Sequence, residues 1–207
     1  SPNYLHDSHI RFALRSGANA ISEKPLVLNP WNLDGLIELE KKTGCKVNTI
    51  LQLRLHPSII KLSKKINSME LKKKLDIDLT YITSRGNWYG RSWKGDIKKS
   101  GGIATNIGIH LFDMLHFIFG ELKKSKIFLN TDTKQSGFLE LEKANIRWFL
   151  SIDNEDIPKK IREKGKTTYR SITVDKKEIE FSQGFKNLHI KSYEEILKGN
   201  GFGIEDN

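Results

Sequence analysis

Apolar residues recur at helical spacing over residues 5–16, where Leu5, Ile10, Ala13 and Leu14 fall on one side and Gly17 ends the run. Asn19 to Ser22 is a short apolar run that fits a buried strand, and Pro25 stops it. Asn29-Pro30 opens a second helix, with Asn29 as N-cap and Pro30 in the first turn. Leu33, Leu36, Ile37 and Leu39 form its apolar stripe, and Gly44 closes it. Lys46 to Leu55 alternates as a strand, with Val47, Thr49, Leu51, Leu53 and Leu55 on one face. Helix, strand, helix, strand is the rhythm of a parallel sheet with crossovers. Two strands are too few for a stable doubly wound sheet, so its other strands are expected outside this sequence.

Residues 58–74 read as a basic amphipathic helix, with Ile59, Ile60, Leu62 and Ile66 inward and Lys61, Lys64, Lys65, Lys72, Lys73 and Lys74 toward water. It is either a phosphate-binding patch or a solvated connector. Strand-like runs then dominate: Asp76 to Ser84, Ser125 to Asn130, Gly137 to Leu141, Ala144 to Asp153, Thr168 to Val174 and Glu178 to Phe181. Short turns join most of them, which predicts a mostly antiparallel sheet. Helices are predicted from Asn106 to Phe119, ended by Gly120, and from Leu188 to Leu197. The fold class is therefore α/β, a partial parallel sheet in residues 1–57, followed by an α+β unit with a mostly antiparallel open sheet in residues 58–207.

Composition narrows the partners. Hydrophobic residues make up 37% of the 207-residue chain and charged residues 29%, enough apolar content for a packed core. Thirty-five Lys and Arg against 25 Asp and Glu give a net charge of +10, which suits nucleic acid, a membrane surface or phosphorylated small molecules. Cys45 has no second cysteine to pair with, so a reducing cytoplasm is expected and a buried structural thiol is the plainer reading. No apolar run reads as a membrane span of ~18–20 residues, and no signal peptide opens the chain. The chain opens instead on Ser-Pro-Asn-Tyr-Leu-His and reads as the middle of something longer.

Several constellations carry chemistry. Ser22-Glu23-Lys24-Pro25 ends the first predicted strand, at the sheet edge where open α/β sheets bind ligands. Lys24 there is either an acid, base or oxygen-holding group, or part of a surface turn. Gly101 to Asp113 reads G-G-I-A-T-N-I-G-I-H-L-F-D, with two glycines that permit positive φ or close approach. Asn106, His110 and Asp113 fall at i, i+4 and i+7 on one helix face. His110 is suited to proton transfer near neutral pH without a large environmental shift. No metal site is expected, because Asn is a weak ligand and no second His or Cys lies at matching spacing. Asn87 to Lys94, N-W-Y-G-R-S-W-K, concentrates aromatic rings and cations. That mix suits a nucleotide, single-stranded nucleic acid or an aromatic hairpin in a sheet core. Gly199-Asn200-Gly201-Phe202-Gly203 is either a phosphate nest or a helix C-cap with a flexible exit. His6, His9, His56, His116 and His189 show no partner pattern, though His6 falls near the sheet edge of Lys24.

Together these residues resemble the Gfo/Idh/MocA oxidoreductases. S-P-N-x-x-H (Ser1 to His6), E-K-P (Glu23 to Pro25), W-[RK]-x6-G-G (Trp93, Lys94, Gly101, Gly102) and G-x-H-x-x-D (Gly108, His110, Asp113) follow that family's order and spacing over nearly the whole chain. The stretch from Arg85 to His110 is similar to the branch that oxidises C3 of UDP-linked N-acetylglucosaminuronic acid in surface-polysaccharide biosynthesis. The resemblance implies an NAD- or NADP-dependent sugar dehydrogenase, with Lys24 and His110 catalytic. Asn106, Arg85, Trp88, Tyr89 and Asp113 would bind substrate. Ser1, Pro2, Asn3, His6, Glu23, Lys24, Pro25, Trp93 and Lys94 would border the cofactor. Residues 1–57 would be the C-terminal part of a Rossmann dinucleotide-binding domain, and 58–207 a substrate-binding and dimerisation domain. A UDP-sugar substrate and a second copy docked on the open sheet face are the expected partners, with no nucleic acid and no membrane.

Two departures accompany the resemblance. Asn106 stands where many members carry Asp, and the G-x-G-x-x-G turn that binds the cofactor pyrophosphate is absent from this sequence. The chain is therefore expected to be a fragment that binds NAD weakly. The alternative is a catalytically inactive sugar-nucleotide-binding or regulatory module.

Overall fold

A computed structural model describes residues 1–174, 177–179 and 187–207. A 3₁₀ turn at Asn3–Leu5 leads into α1 (His6–Arg15), followed by β1 (Ala20–Ser22), α2 (Trp31–Thr43) and β2 (Val47–Thr49). After a second 3₁₀ turn, Gln52–Leu55, come α3 (Pro57–Asn67), β3 (Leu75–Thr83), α4 (Asn87–Arg91) and α5 (Ile97–Ser100). A π-helical turn at Ala104–Gly108 runs into α6 (Ile109–Phe119). The remaining elements are β4 (Leu122–Asn130), β5 (Lys134–Leu141), β6 (Ala144–Ser151), α7 (Lys159–Arg162), β7 (Thr168–Val174), β8 (Lys177–Ile179) and α8 (Leu188–Leu197).

β1 and β2 pair in parallel, Ala20 opposite Val47 and Ser22 opposite Thr49. The amphipathic helices α1 and α2 cover them: Ile10, Leu14, Leu36 and Val47 are buried with Leu26 and Ile204 in one cluster. The other strands form a six-stranded sheet in the order β4-β5-β6-β3-β7-β8. Every neighbouring pair is antiparallel except β3 with β6, where Ile77 lies opposite Ile146 and Leu79 opposite Trp148. Strict alternation buries Leu75, Ile77 and Leu79 of β3 and leaves Asp76 and Asp78 outside. α6 lays Leu111, Met114, Leu115, Ile118 and Phe119 into this core, and Phe112 meets Trp148 edge-on at 5.2 Å. By length and composition the span Ile97–Phe119 is apolar enough to cross a membrane, which corrects the reading that no run is. In this fold it contains the central core helix.

Other expectations also need correcting. The strand predicted for Lys46 to Leu55 stops at Thr49, because Ile50 and Leu51 are buried in succession and Gln52–Leu55 curls into a 3₁₀ turn. The helix predicted for 58–74 ends at Asn67, so Lys72 and Lys73 lie in an exposed loop and Lys74 pairs with Glu140 at 2.6 Å. Asn87 to Lys94 is no hairpin: Asn87–Arg91 is a short helix that buries Tyr89 and leaves Trp88 outside. The end of the strand predicted for Glu178 to Phe181 lies outside the described residues. The Gly199–Gly203 segment closes onto β2, where the Thr49 amide donates to the Phe202 carbonyl at 2.8 Å. Gly201 is needed there, because a Cβ would stand 2.1 Å from Asn48 Oδ1.

Candidate active site

The C-terminal end of β1 and the N-terminal end of α6 meet, and Lys24 makes the junction. Its Nζ donates to the main-chain carbonyl of Asn106 at 2.6 Å. Asn106 lies in the π turn, a wide turn of the kind that recurs at functional sites. The turn depends on Gly101 and Gly102, both at φ +79°, a left-handed backbone that side chains resist. That reversal lets the Ala104 amide bond Gln135 Oε1 at 2.7 Å and leaves the carbonyl of buried Ser100 facing Asn3.

Around Asn106 the side chains interlock. Asn3 Nδ2 donates to the Ser100 carbonyl at 3.0 Å and to Asn106 Oδ1 at 3.2 Å. Asn106 Nδ2 donates to the Tyr89 hydroxyl at 2.8 Å. His6, buried, sets its Nδ1 against the Pro25 carbonyl at 2.8 Å and its Nε2 against the Ser1 carbonyl at 3.1 Å. It braces the Glu23–Pro25 turn, whose Lys24–Pro25 peptide is cis, with a neutral ring donating to one of these two carbonyls.

The site is strongly cationic. Burial pulls the Lys24 ammonium down to about 8, helped by Arg85 and Lys94 and opposed by Glu23. His110 is held further from its usual range, at about 3, first by burial and then by the positive charges of Lys24, His189 and Arg170. This corrects the expectation that His110 titrates near neutral pH: the imidazole is neutral across the working range, and Lys24 is the group near it. Burial raises the Tyr89 phenol above its ordinary value. Lys94 Nζ lies over the rings of Trp88 and Trp93, at 5.4 and 5.6 Å from their centroids.

The structure thus brings Lys24, Asn106, His110, Tyr89, Arg85 and Lys94 into one neighbourhood. Asp113 belongs elsewhere. Its Oδ1 takes two bonds from buried Arg54, at 3.0 and 2.6 Å, so it braces α6 and does not line the cleft. Glu23, half-exposed, is held by His189 of α8 at 3.1 Å. Sequence reasoning missed Arg54, whose signal was a lone cation inside the apolar run L-Q-L-R-L, and His189 and Arg170, which carried none. Among the described residues no group of three His, Cys, Asp or Glu side chains could hold a metal ion.

Comparison with known proteins fits this architecture. Residues 1–50 match the profile described as the oxidoreductase family's NAD-binding Rossmann fold, and residues 64–157 match that family's C-terminal alpha/beta domain. The WlbA (WbpB) dehydrogenase of Thermus thermophilus, solved with NAD and alpha-ketoglutarate, is 52% identical over all of this chain, at a TM-score of 0.95. Its complex with NAD and UDP-GlcNAcA superposes at 0.94. This chain covers 66% of that protein. The putative oxidoreductase YteT of Bacillus subtilis is 25% identical over 120 residues, 56% of this chain and 28% of YteT. With both domain profiles matched in order and the E-K-P and G-x-H-x-x-D motifs meeting at one junction, the chain belongs to the Gfo/Idh/MocA family of oxidoreductases.

Proposed function

We propose that this chain carries the substrate-facing part of an NAD-dependent dehydrogenase that oxidises C3 of a UDP-linked N-acetylglucosaminuronic acid. The observation that carries the reading is the Lys24 bond to Asn106 beside buried His110, which feels the Lys24 charge. A triply anionic sugar nucleotide suits that charge, and the similar Thermus protein was solved with NAD and UDP-GlcNAcA. Arg85 adds support, because its charge acts on both Lys24 and Tyr89.

The residues present fit the nicotinamide end of the cofactor. Ser1, His6, Ser22 and Glu23 line an open groove of about 400 Å³ at the end of β1. NAD, when bound, supplies the hydride acceptor. The chain's own residues then handle the proton. Neutral His110 accepts it from the C3 hydroxyl, and the Lys24 ammonium stabilises the negative charge developing on that oxygen. On this reading residues 1–57 complete the cofactor domain, and residues 58–207 bind substrate and a second copy. β4, exposed along its whole length with Leu122, Ile127, Phe128 and Leu129, supports that last role, which light scattering of the full-length enzyme checks.

The test is NADH formation by the full-length enzyme with the UDP-linked uronic acid. Turnover is expected there, and little with the same sugar lacking its carboxylate. An enzyme that binds NAD but oxidises no UDP-linked hexose would sink the proposal.

A further inference from the structure

We propose that a chain of hydrogen bonds, anchored by Asn3 on the Ser100 carbonyl and running by donation from Asn3 to Asn106 to Tyr89, points the Tyr89 hydroxyl proton at the substrate. Tyr89 is then a second catalytic hydrogen-bond donor beside Lys24, and Asn106 is its positioning residue. The inference rests on the dehydrogenase reading above.

The direction of the chain follows from what each group can do. A main-chain carbonyl only accepts, so the Asn3 amide must turn its nitrogen to Ser100, 3.0 Å away. The same nitrogen is 3.2 Å from Asn106, which must therefore present its oxygen. That leaves the Asn106 nitrogen facing the Tyr89 hydroxyl at 2.8 Å. A nitrogen carrying two hydrogens donates, so the phenol oxygen accepts and its own hydrogen must point away from Asn106. Among the described residues the Tyr89 hydroxyl bonds Asn106 alone. Burial favours the neutral phenol, so that hydrogen is present at working pH.

The placement suits the reaction. Lys24 grips the main-chain carbonyl of the residue whose side chain orients Tyr89, and the Arg85 charge acts on both Lys24 and Tyr89. Lys24 and Tyr89 both bond Asn106, and together they would give a developing alkoxide two donors. The neutral amide at position 106 then has a reason. An aspartate there would accept from Asn3 with one oxygen and from Tyr89 with the other, turning the phenol hydrogen away from substrate.

A double-mutant cycle on the full-length enzyme reads this directly. Tyr89→Phe should lower kcat by about 10²-fold with KM changed only a few-fold, since the lost donor acts mainly on developing charge. Asn106→Asp should lower kcat similarly at the plateau of its own pH profile, because the hydrogen is redirected. In the Asn106→Asp background, adding Tyr89→Phe should cost less than about twofold, the donor being already lost. Multiplicative losses, or a Tyr89→Phe enzyme within about threefold of parental kcat, overturn the inference while parental turnover leaves the dehydrogenase reading intact. A parental enzyme without turnover overturns both. Melting temperatures separate a packing role, which would lower stability without this non-additive kcat pattern.

Discussion

Lys24 and His110 share one electrostatic environment, in which the Lys24 charge helps to hold the His110 imidazole neutral. Lys24 is pulled to about 8 and His110 to about 3, in both cases first by loss of water and then by neighbouring positive charge. A bound anion weakens the second cause and raises both values. The protonated Lys24 is the form that steadies an alkoxide, so kcat/KM, which reports the free protein, should fall as pH rises through about 8. The corresponding fall in kcat, which reports the complex, should come at higher pH. Lys24→Met should lose that limb and much of the turnover, and coincident limbs in the parental enzyme would contradict an anion-neutralised site. His110→Asn keeps volume and polarity but removes the base, so turnover should drop by ~10²–10⁴-fold with little change in NAD affinity. Near-parental turnover in that variant from roughly pH 6 to 9 would make His110 structural and Lys24 the leading base. The identity of these two residues was legible from their motifs. The depth of the His110 shift was not, because Arg170 and His189 come from β7 and α8, far along the chain, and no local pattern shows what covers a helix face.

Elements show a similar divide. The predicted bounds of β7 and α8 match the observed ones, since each is bracketed by breaks in its own pattern. β2 was overextended because an apolar alternation cannot distinguish a strand from a 3₁₀ turn that buries the same positions. That turn matters, for it aims Arg54 inward. The guanidinium binds Asp113 of α6 and Asp206 near the last residue of the chain, at 2.6 and 2.7 Å, between the rings of Phe117 and Phe202. It ties the helix bearing His110 to the turn after β2 and to the segment that closes on β2. Arg54 and Asp113 side chains are only 7% and 9% exposed, so removing Asp113 leaves a buried cation with Asp206 as its remaining carboxylate. Asp113→Ala should therefore destabilise the protein by about 3–5 kcal/mol. Chemical denaturation measures it, and a loss below about 1 kcal/mol would mean that water or Asp206 takes over the pairing.

For the molecule as a whole, the switch from helix–strand alternation to neighbouring strands made both sheets legible. The parallel β3–β6 pairing was not, because the chain between them folds into α4–α6 and the β4–β5 hairpin before β6 returns beside β3. Net charge was legible, but its focus was not: +10 spread over 207 residues says little until Arg85 and Lys94 are seen to act on Lys24. Cations gathered at one cleft should steer an anionic substrate and hold it, and salt should weaken both effects. Between roughly 0.01 and 1 M ionic strength the screening length shrinks from ~30 to ~3 Å, which spans the dimensions of the site. We expect kcat/KM for the UDP-linked uronic acid to fall on the order of tenfold or more across that range, mainly through KM. A UDP-sugar without the carboxylate should show a shallower slope, since it presents one charge fewer. Arg85→Met should flatten the slope for the uronic acid toward that of the neutral sugar. Equal slopes for the two substrates in the parental enzyme would place the carboxylate outside the cationic cluster, and the charge at Lys24 and His110 would then serve the reaction alone.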